Sequence, residues 1–288
     1  MIPHRFVAVL LLLAAFTSLK GVETVVNGNA TYNTNSNISG SVSGWSSGWG
    51  SGNTNTGWNY VGQVSDASGV YLGNGWVLTA AHVNSPTTFT LNGNVYNNTG
   101  IYYSNFTNSL TGTTNADLTL FKISTVSTAG TNIPLSYNLT ITPSDPAVFS
   151  TVVMIGLGGT NGVGLKSWGA NYVAGINIYP INVNDRASVD FVSPNSGTNY
   201  GEIVLGDSGG GVFINVGDAS HPQWELAGIN EAILQGGTNY YSGFVQLSSY
   251  QSQISAIVNS VPEPGTWALL GIGLLFVALP LWRGRQKV

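Results

Sequence analysis

Three short segments of this chain carry side chains that could do chemistry, and each is built around small or apolar neighbours. Gly75-Trp76-Val77-Leu78-Thr79-Ala80-Ala81-His82 is an apolar strand running into small residues. The small residues let the chain bend tightly and present the His82 imidazole at a strand end. Gly206-Asp207-Ser208-Gly209-Gly210-Gly211 surrounds one hydroxyl with glycines. Such a stretch lets backbone approach a substrate closely and aims main-chain N–H groups inward. Asn115-Ala116-Asp117-Leu118-Thr119-Leu120-Phe121 opens a hydrophobic strand with a carboxylate, and a carboxylate buried there needs a partner. Imidazole, carboxylate and hydroxyl are the groups of proton transfer and nucleophilic attack. The second histidine of the body, His221 in Asp218-Ala219-Ser220-His221-Pro222, reads as a solvated turn residue.

The elements that must position these groups read as strands. Tyr60–Val64 alternates, and Gly69–Gly73 and Trp76–Thr79 flank Asn74-Gly75, a two-residue hairpin signal because both positions must accept positive φ. Further strands are expected at 87–91, 95–103, 118–123, 148–156, 166–179, 187–192, 210–215, 224–230 and 241–247. A Pro- and Ser-rich connector falls at 124–146. The one helix expected in the body is 248–259, where Tyr250, Ile254 and Ile257-Val258 recur at helical spacing. Many short strands with Gly/Asn turns and one terminal helix point to an all-β sandwich or barrel pair. Residues 27–58, rich in Asn, Ser, Gly, Thr and Trp, read as an irregular, partly flexible lead-in.

Composition excludes most other classes. Charged residues make up 7% of the 288, against about 25% in an average soluble protein. Hydrophobic residues reach 43%, enough for a sizeable core. Eight Lys/Arg leave no basic face for nucleic acid. The absence of cysteine excludes disulfides, iron–sulfur clusters and thiolate zinc sites. No cofactor and no metal site is expected; Asp145, Asp185 and Asp190 have no calcium-loop spacing.

The two ends read as targeting segments. Residues 1–21 form a secretory signal: Arg5 precedes an apolar run, Phe6 to Phe16, too short to span a membrane. At the other end Val261-Pro262-Glu263-Pro264 precedes an uncharged run from Trp267 to Trp282, and Arg283, Arg285 and Lys287 follow it. Such a run, with Trp at its edges and basic residues beyond, matches a membrane-spanning helix. Residues 261–288 resemble the PEP-CTERM sorting signal of Gram-negative bacteria. That resemblance implies an exosortase-type membrane enzyme that cuts near Pro262-Glu263-Pro264, after a signal peptidase has acted at the front. It places the mature chain in the cell envelope, on the surface or in the matrix, with membrane contact only through the helix before processing. Between Val22 and Val261 eleven acidic residues face three basic ones, a body charge near −8.

Taken in the order His, Asp, Ser, the three segments resemble the trypsin/chymotrypsin-like serine peptidases. Thr79-Ala80-Ala81-His82, Asp117-Leu118-Thr119-Leu120 and Gly206-Asp207-Ser208-Gly209-Gly210 match that family's motifs, over a stretch from about Trp58 to Asn259. The resemblance implies two packed antiparallel six-stranded β-barrels with a C-terminal helix. The first barrel would occupy about 58–125 and the second, with the helix, about 147–259, after a lead-in at 22–57. It implies Ser208 as nucleophile, His82 as base and Asp117 as the group orienting the imidazole. It assigns the backbone N–H groups of Gly206 and Ser208 to an oxyanion hole. Asp207 would pair with an α-amino group freed by activation; Val25-Val26-Asn27-Gly28 is the matching segment, although Thr24 replaces the usual Arg or Lys. Glu202, six residues before Ser208, would stand at the base of the primary pocket and favour Lys or Arg in the substrate. Val83 and Val204 stand where the family has cysteines. The leading expectation is an exported serine endopeptidase. The alternatives are an inactive relative acting as a surface or matrix binding module, and a carbohydrate-binding β protein resting on Trp45, Trp49 and Trp58.

Overall fold

The Asn74-Gly75 turn forms as its sequence requires, with φ of 52° and 79°. The computed structural model describes residues 23–26, 29–49, 55–83, 86–107, 115–133, 139–158, 165–183, 186–195 and 200–260. The expected signal at 1–21 and the apolar run 267–282 lie outside these. Among the described residues no helix is long and apolar enough to cross a membrane. Contacts divide the chain into Met1–Val258 and Asn259–Val288, and the elements below belong to the first unit.

A short hairpin, β1 (Glu23–Val26) and β2 (Asn29–Tyr32), comes first. The one-turn helix α1 (Gly57–Tyr60) leads into six strands: β3 (Val61–Val64), β4 (Ala67–Gly73), β5 (Trp76–Thr79), β6 (Thr88–Leu91), β7 (Asn94–Tyr103) and β8 (Thr119–Ile123). These close a barrel in the order β3-β4-β5-β8-β7-β6. The second half holds β9 (Thr151–Gly156), β10 (Ser167–Tyr172), β11 (Gly175–Val183), β12 (Arg186–Pro194), β13 (Gly201–Glu202), β14 (Gly211–Asn215), β15 (Trp224–Gly236) and β16 (Asn239–Gln246). It ends in a 3₁₀ turn, Leu247–Ser249, and α2 (Gln251–Val258).

The first expected barrel is present, but the second differs. Among the described residues it is an open seven-stranded sheet, ordered β10-β9-β14-β15-β16-β12-β11, a half-barrel rather than a closed six-stranded one. The reason lies at Val173-Ala174, inside the single strand expected at 166–179. Val173 N–H donates to Ser150 O before β9, while Ala174 N–H donates to Val192 O on β12. The chain there passes from one sheet edge to the other, so the edges meet at a corner and not along a ladder.

Alternation along the strands gives this sheet two buried faces. Val152 and Met154 of β9, Val212 and Ile214 of β14, Ala227 of β15 and Phe244 of β16 enclose one cluster. Their neighbours Val153, Ile155, Phe213, Leu226 and Val245 join the main cluster that also contains the barrel core. Burial on both faces explains why these strands read as near-continuous apolar runs.

The described residues of the Trp-rich lead-in after β2 are irregular, as expected, but Trp45 and Trp49 are not exposed as their setting suggested. Trp45 and Trp49 are 1% and 7% exposed. Trp45 packs edge-on at 4.8 Å from Trp49 and 4.9 Å from Trp224, and Trp49 lies 5.4 Å from Phe213. Trp49 Nε1–H donates to Trp45 O. Low sequence complexity hid an aromatic wedge that covers the outer face of the sheet. With Trp45 and Trp49 buried and Trp58 half-buried, the carbohydrate-binding reading is left without an exposed tryptophan among the three it rests on.

Candidate active site

Strand register brings the first two functional groups together. Thr79 and Thr119 form the last pair of the antiparallel β5–β8 ladder. Residues just after Thr79 therefore lie beside residues just before Thr119, and Ala81 N–H donates to Asp117 O at 3.2 Å. His82 follows immediately. Its Nδ1 lies 2.5 Å from Asp117 Oδ2, and its backbone N–H donates to Asp117 Oδ1 at 2.8 Å. Asp117 is fully buried, while the His82 side chain keeps 17% exposure. A buried carboxylate with both oxygens engaged holds the imidazole with Nδ1 protonated and Nε2 free to take a proton.

The Ser208 loop packs against the segment that carries His82. Ser68 on β4 is the clamp: its N–H donates to Ser208 O at 2.9 Å and its hydroxyl to Gly206 O at 3.1 Å. Thr79 Oγ1 on β5 donates to Ser68 O at 2.7 Å. Gly209, at φ +81°, leaves no room for a side chain; a Cβ there would meet Ser68 O and Thr79 Oγ1 at 2.2 Å and Ala80 N at 3.0 Å. Glycine is therefore required at 209 by both conformation and space. Gly206 is also left-handed, at φ +93°. Within the loop the N–H groups of Asp207, Gly209 and Gly210 donate to Val204 O, Asn230 O and Asp207 O. Those of Gly206 and Ser208 make no hydrogen bond among the described residues.

Asp207 is buried and its carboxylate ties this loop to the segment just after β9. Oδ1 accepts from Gly158 N–H and Oδ2 from Val204 N–H, both at 2.9 Å. Val25 lies on β1 opposite Ala30, and β1 pairs in turn with β13 through Glu23↔Glu202 and Thr24↔Gly201. Glu202 thus sits in the three-stranded sheet β13-β1-β2, half-buried, next to Ile203, whose N–H donates to Ser242 Oγ at 3.1 Å.

Other charges have structural surroundings. Lys166 Nζ donates to Trp58 O at 2.7 Å and stands 4.9 Å over the Trp58 ring. Burial there pushes its ammonium down from 10.5 to about 8. Asp145 accepts from Gln246 Nε2 and Ser248 Oγ at 3.0 and 2.7 Å. Among the described residues no three His, Cys, Asp or Glu side chains gather as a metal site; Asp185 lies outside them. His221 is exposed and 3.4 Å from exposed Asp218, as a turn residue.

The sequence profile of the trypsin family matches residues 47–254. The chain belongs to the trypsin family. Beyond that domain, the PEP-CTERM protein-sorting motif matches residues 260–279. No curated protein sequence matches this trypsin-family chain. Among solved structures it is similar to an inactive serine-to-alanine mutant of Rv3671c from M. tuberculosis H37Rv, at 12% identity and TM-score 0.48, over 72% of this chain and 89% of that one. It is also similar to the inactive form of the Rv3671c protease, at 14% identity and TM-score 0.46, over 70% and 90% of the two chains. For a trypsin-family chain the substrates are peptides, and the sorting motif implies export with an exosortase-type processing partner in the Gram-negative envelope.

Four residues of the site escaped the motif reading. Ser68 and Asn230 brace the Ser208 loop, Asn230 through Nδ2–H bonds to Asp207 O at 3.2 Å and Ile155 O at 3.4 Å. Ser188 and Glu231 sit behind Asp117. Glu231 alone left a trace: an acid between the apolar stretches Leu226–Ile229 and Ala232–Leu234 of a chain with so few charges.

Proposed function

We propose that this trypsin-family chain is a serine endopeptidase that cleaves peptide bonds through an acyl-enzyme on Ser208. The observation that carries the reading is the 2.5 Å His82–Asp117 hydrogen bond, set on the same segment against which the Ser208 loop packs. Ser208 Oγ attacks the scissile carbonyl while His82 Nε2 takes its proton, and the imidazolium returns that proton to the leaving amine. Asp117 keeps the imidazole in the useful tautomer and stabilises its charged form. The Gly206 and Ser208 N–H groups, uncommitted among the described residues, receive the developing oxyanion, each such donor being worth about 3–4 kcal/mol.

Export and maturation complete the proposal. A signal peptidase removes the front of the chain, the run 267–282 holds it in the membrane, and the exosortase-type enzyme cuts near Pro262-Glu263-Pro264. Asp207 pairs with an activation-generated amine only if that amine reaches a carboxylate already engaged by Gly158 and Val204.

The test is hydrolysis of a peptide panel with Arg, Lys, Phe or Ala before the scissile bond, by processed wild type and Ser208→Ala. The wild type cleaves and the variant does not. If Glu202 sets specificity, Arg and Lys peptides are preferred and Glu202→Gln removes the preference. Equal cleavage of all four removes Glu202 from the pocket without touching the triad, and no Ser208-dependent cleavage favours the inactive binding module.

A further inference from the structure

Behind Asp117 lies a chain of buried polar groups that the proposed reaction does not use. Asp117 N–H donates to Ser188 Oγ at 2.9 Å. The Ser188 hydroxyl, with its single proton, donates in turn to Glu231 Oε1 at 3.1 Å. The charge of Asp190 acts on the same Glu231 carboxyl more strongly than that of Asp117. Ser188, Asp190 and Glu231 are 0%, 0% and 3% exposed.

The backbone explains how an acid reaches this place. The β15–β16 register slips between Asn230 and Ala232, which makes Glu231 the extra residue of a β-bulge. A bulge re-aims a side chain that regular alternation would send elsewhere. Ser188 and Asp190 are two residues apart on β12 and so share a face. Two carboxyls closed off together cannot both ionise, so the pair holds one proton between them. Ser188 occupies Glu231 Oε1.

The surrounding groups are few. His82 and Asp117 lie on one side. Arg186, two residues before Ser188, donates to Ala116 O at 3.4 Å. The Tyr250 hydroxyl from the turn before α2 accepts Val189 N–H at 3.0 Å.

We propose that Glu231 and Asp190, acting through the Ser188 hydroxyl, are positioning residues that hold the Asp117 main chain so that its carboxylate meets His82. The proposal rests on the reading of His82 and Asp117 as the catalytic pair. Glu231 supplies the acceptor that fixes which way the Ser188 proton points. Ser188 is thereby forced to accept from Asp117 N–H rather than to rotate away. The shared proton lets two acids occupy this pocket with one negative charge beside Asp117 instead of two.

Burial, then the charges of Asp190 and Asp117, raise the Glu231 carboxyl well above the usual range. An acid raised on folding binds its proton more tightly in the native state. It stabilises fully below the unfolded value, and that stability is lost as pH climbs toward the raised one.

Glu231→Gln and Glu231→Leu, compared with wild type, test the proposal in three ways. Gln keeps an acceptor for Ser188 and a donor for Asp190; Leu keeps neither. The rate of Ser208 labelling by a fluorophosphonate falls about ten- to a hundredfold in Glu231→Leu and stays within about threefold in Glu231→Gln, as expected for misplaced catalytic groups. The low-field proton resonance of the His82 Nδ1–H bond persists in Glu231→Gln and shifts in Glu231→Leu. Glu231→Gln also loses the wild type's decline in unfolding temperature as pH rises above the ordinary carboxylate range. Labelling and resonance unchanged in a folded Glu231→Leu would overturn the proposal, as would equal damage in both variants. A wild type that does not label defeats the peptidase reading instead, and the resonance then decides the positioning role by itself.

Discussion

Asp117→Asn lowers the rate of peptide hydrolysis by about 10⁴-fold while the protein stays folded. The size of the effect follows from which atoms meet. Asp117 Oδ1 accepts the His82 backbone N–H and Oδ2 accepts Nδ1–H. An asparagine keeps the first bond by placing its amide oxygen there, which turns its NH₂ group toward Nδ1. Two donors cannot face each other, so the imidazole moves its proton to Nε2. The nitrogen that must receive the Ser208 proton is then already occupied. Steady-state rates and unfolding temperature measured together check this. A loss below about tenfold in a folded variant would mean that Asp117 does not set the tautomer.

Asp207→Ala destabilises the protein by about 3–6 kcal/mol and abolishes hydrolysis. Two N–H groups, the buried one of Gly158 and the part-buried one of Val204, lose a charged acceptor. Hydrogen bonds to charged groups contribute about 1.5–3 kcal/mol each. That loss is a large part of the 5–15 kcal/mol that holds a typical domain together. The loop beside Ser208 loses its link to Gly158, just after β9, so activity falls even where the fold survives. Urea unfolding of the variant gives the number. A change under about 1 kcal/mol would show that the carboxylate does not hold the loop.

Much of this arrangement was legible because the site uses rare residue types. With so few charges, an acid at the head of an apolar strand and a serine among glycines stand out. The order His82, Asp117, Ser208 then selects a family. The Asn74-Gly75 turn and most strand positions follow from φ preference and alternation. Three features were hidden for physical reasons. The corner at Val173-Ala174 is set by which edge each N–H finds, a long-range pairing that local propensity does not encode. Trp45 and Trp49 looked exposed because their neighbours are polar, yet two aromatic partners distant in sequence, Phe213 and Trp224, pack on them. Glu231 reaches Ser188 through a bulge, and a one-residue slip in register inverts the face that alternation assigns. The sparse acids are not a solvated skin: Asp117, Asp190, Asp207, Glu225 and Glu231 are all buried.

The central claim, an activated Ser208, is tested most directly by intact-mass analysis after exposure to a fluorophosphonate. Wild type gains one covalent adduct, mapped to Ser208, and Ser208→Ala gains none. A processed, folded wild type that gains no adduct, or an adduct that persists in Ser208→Ala, would contradict it.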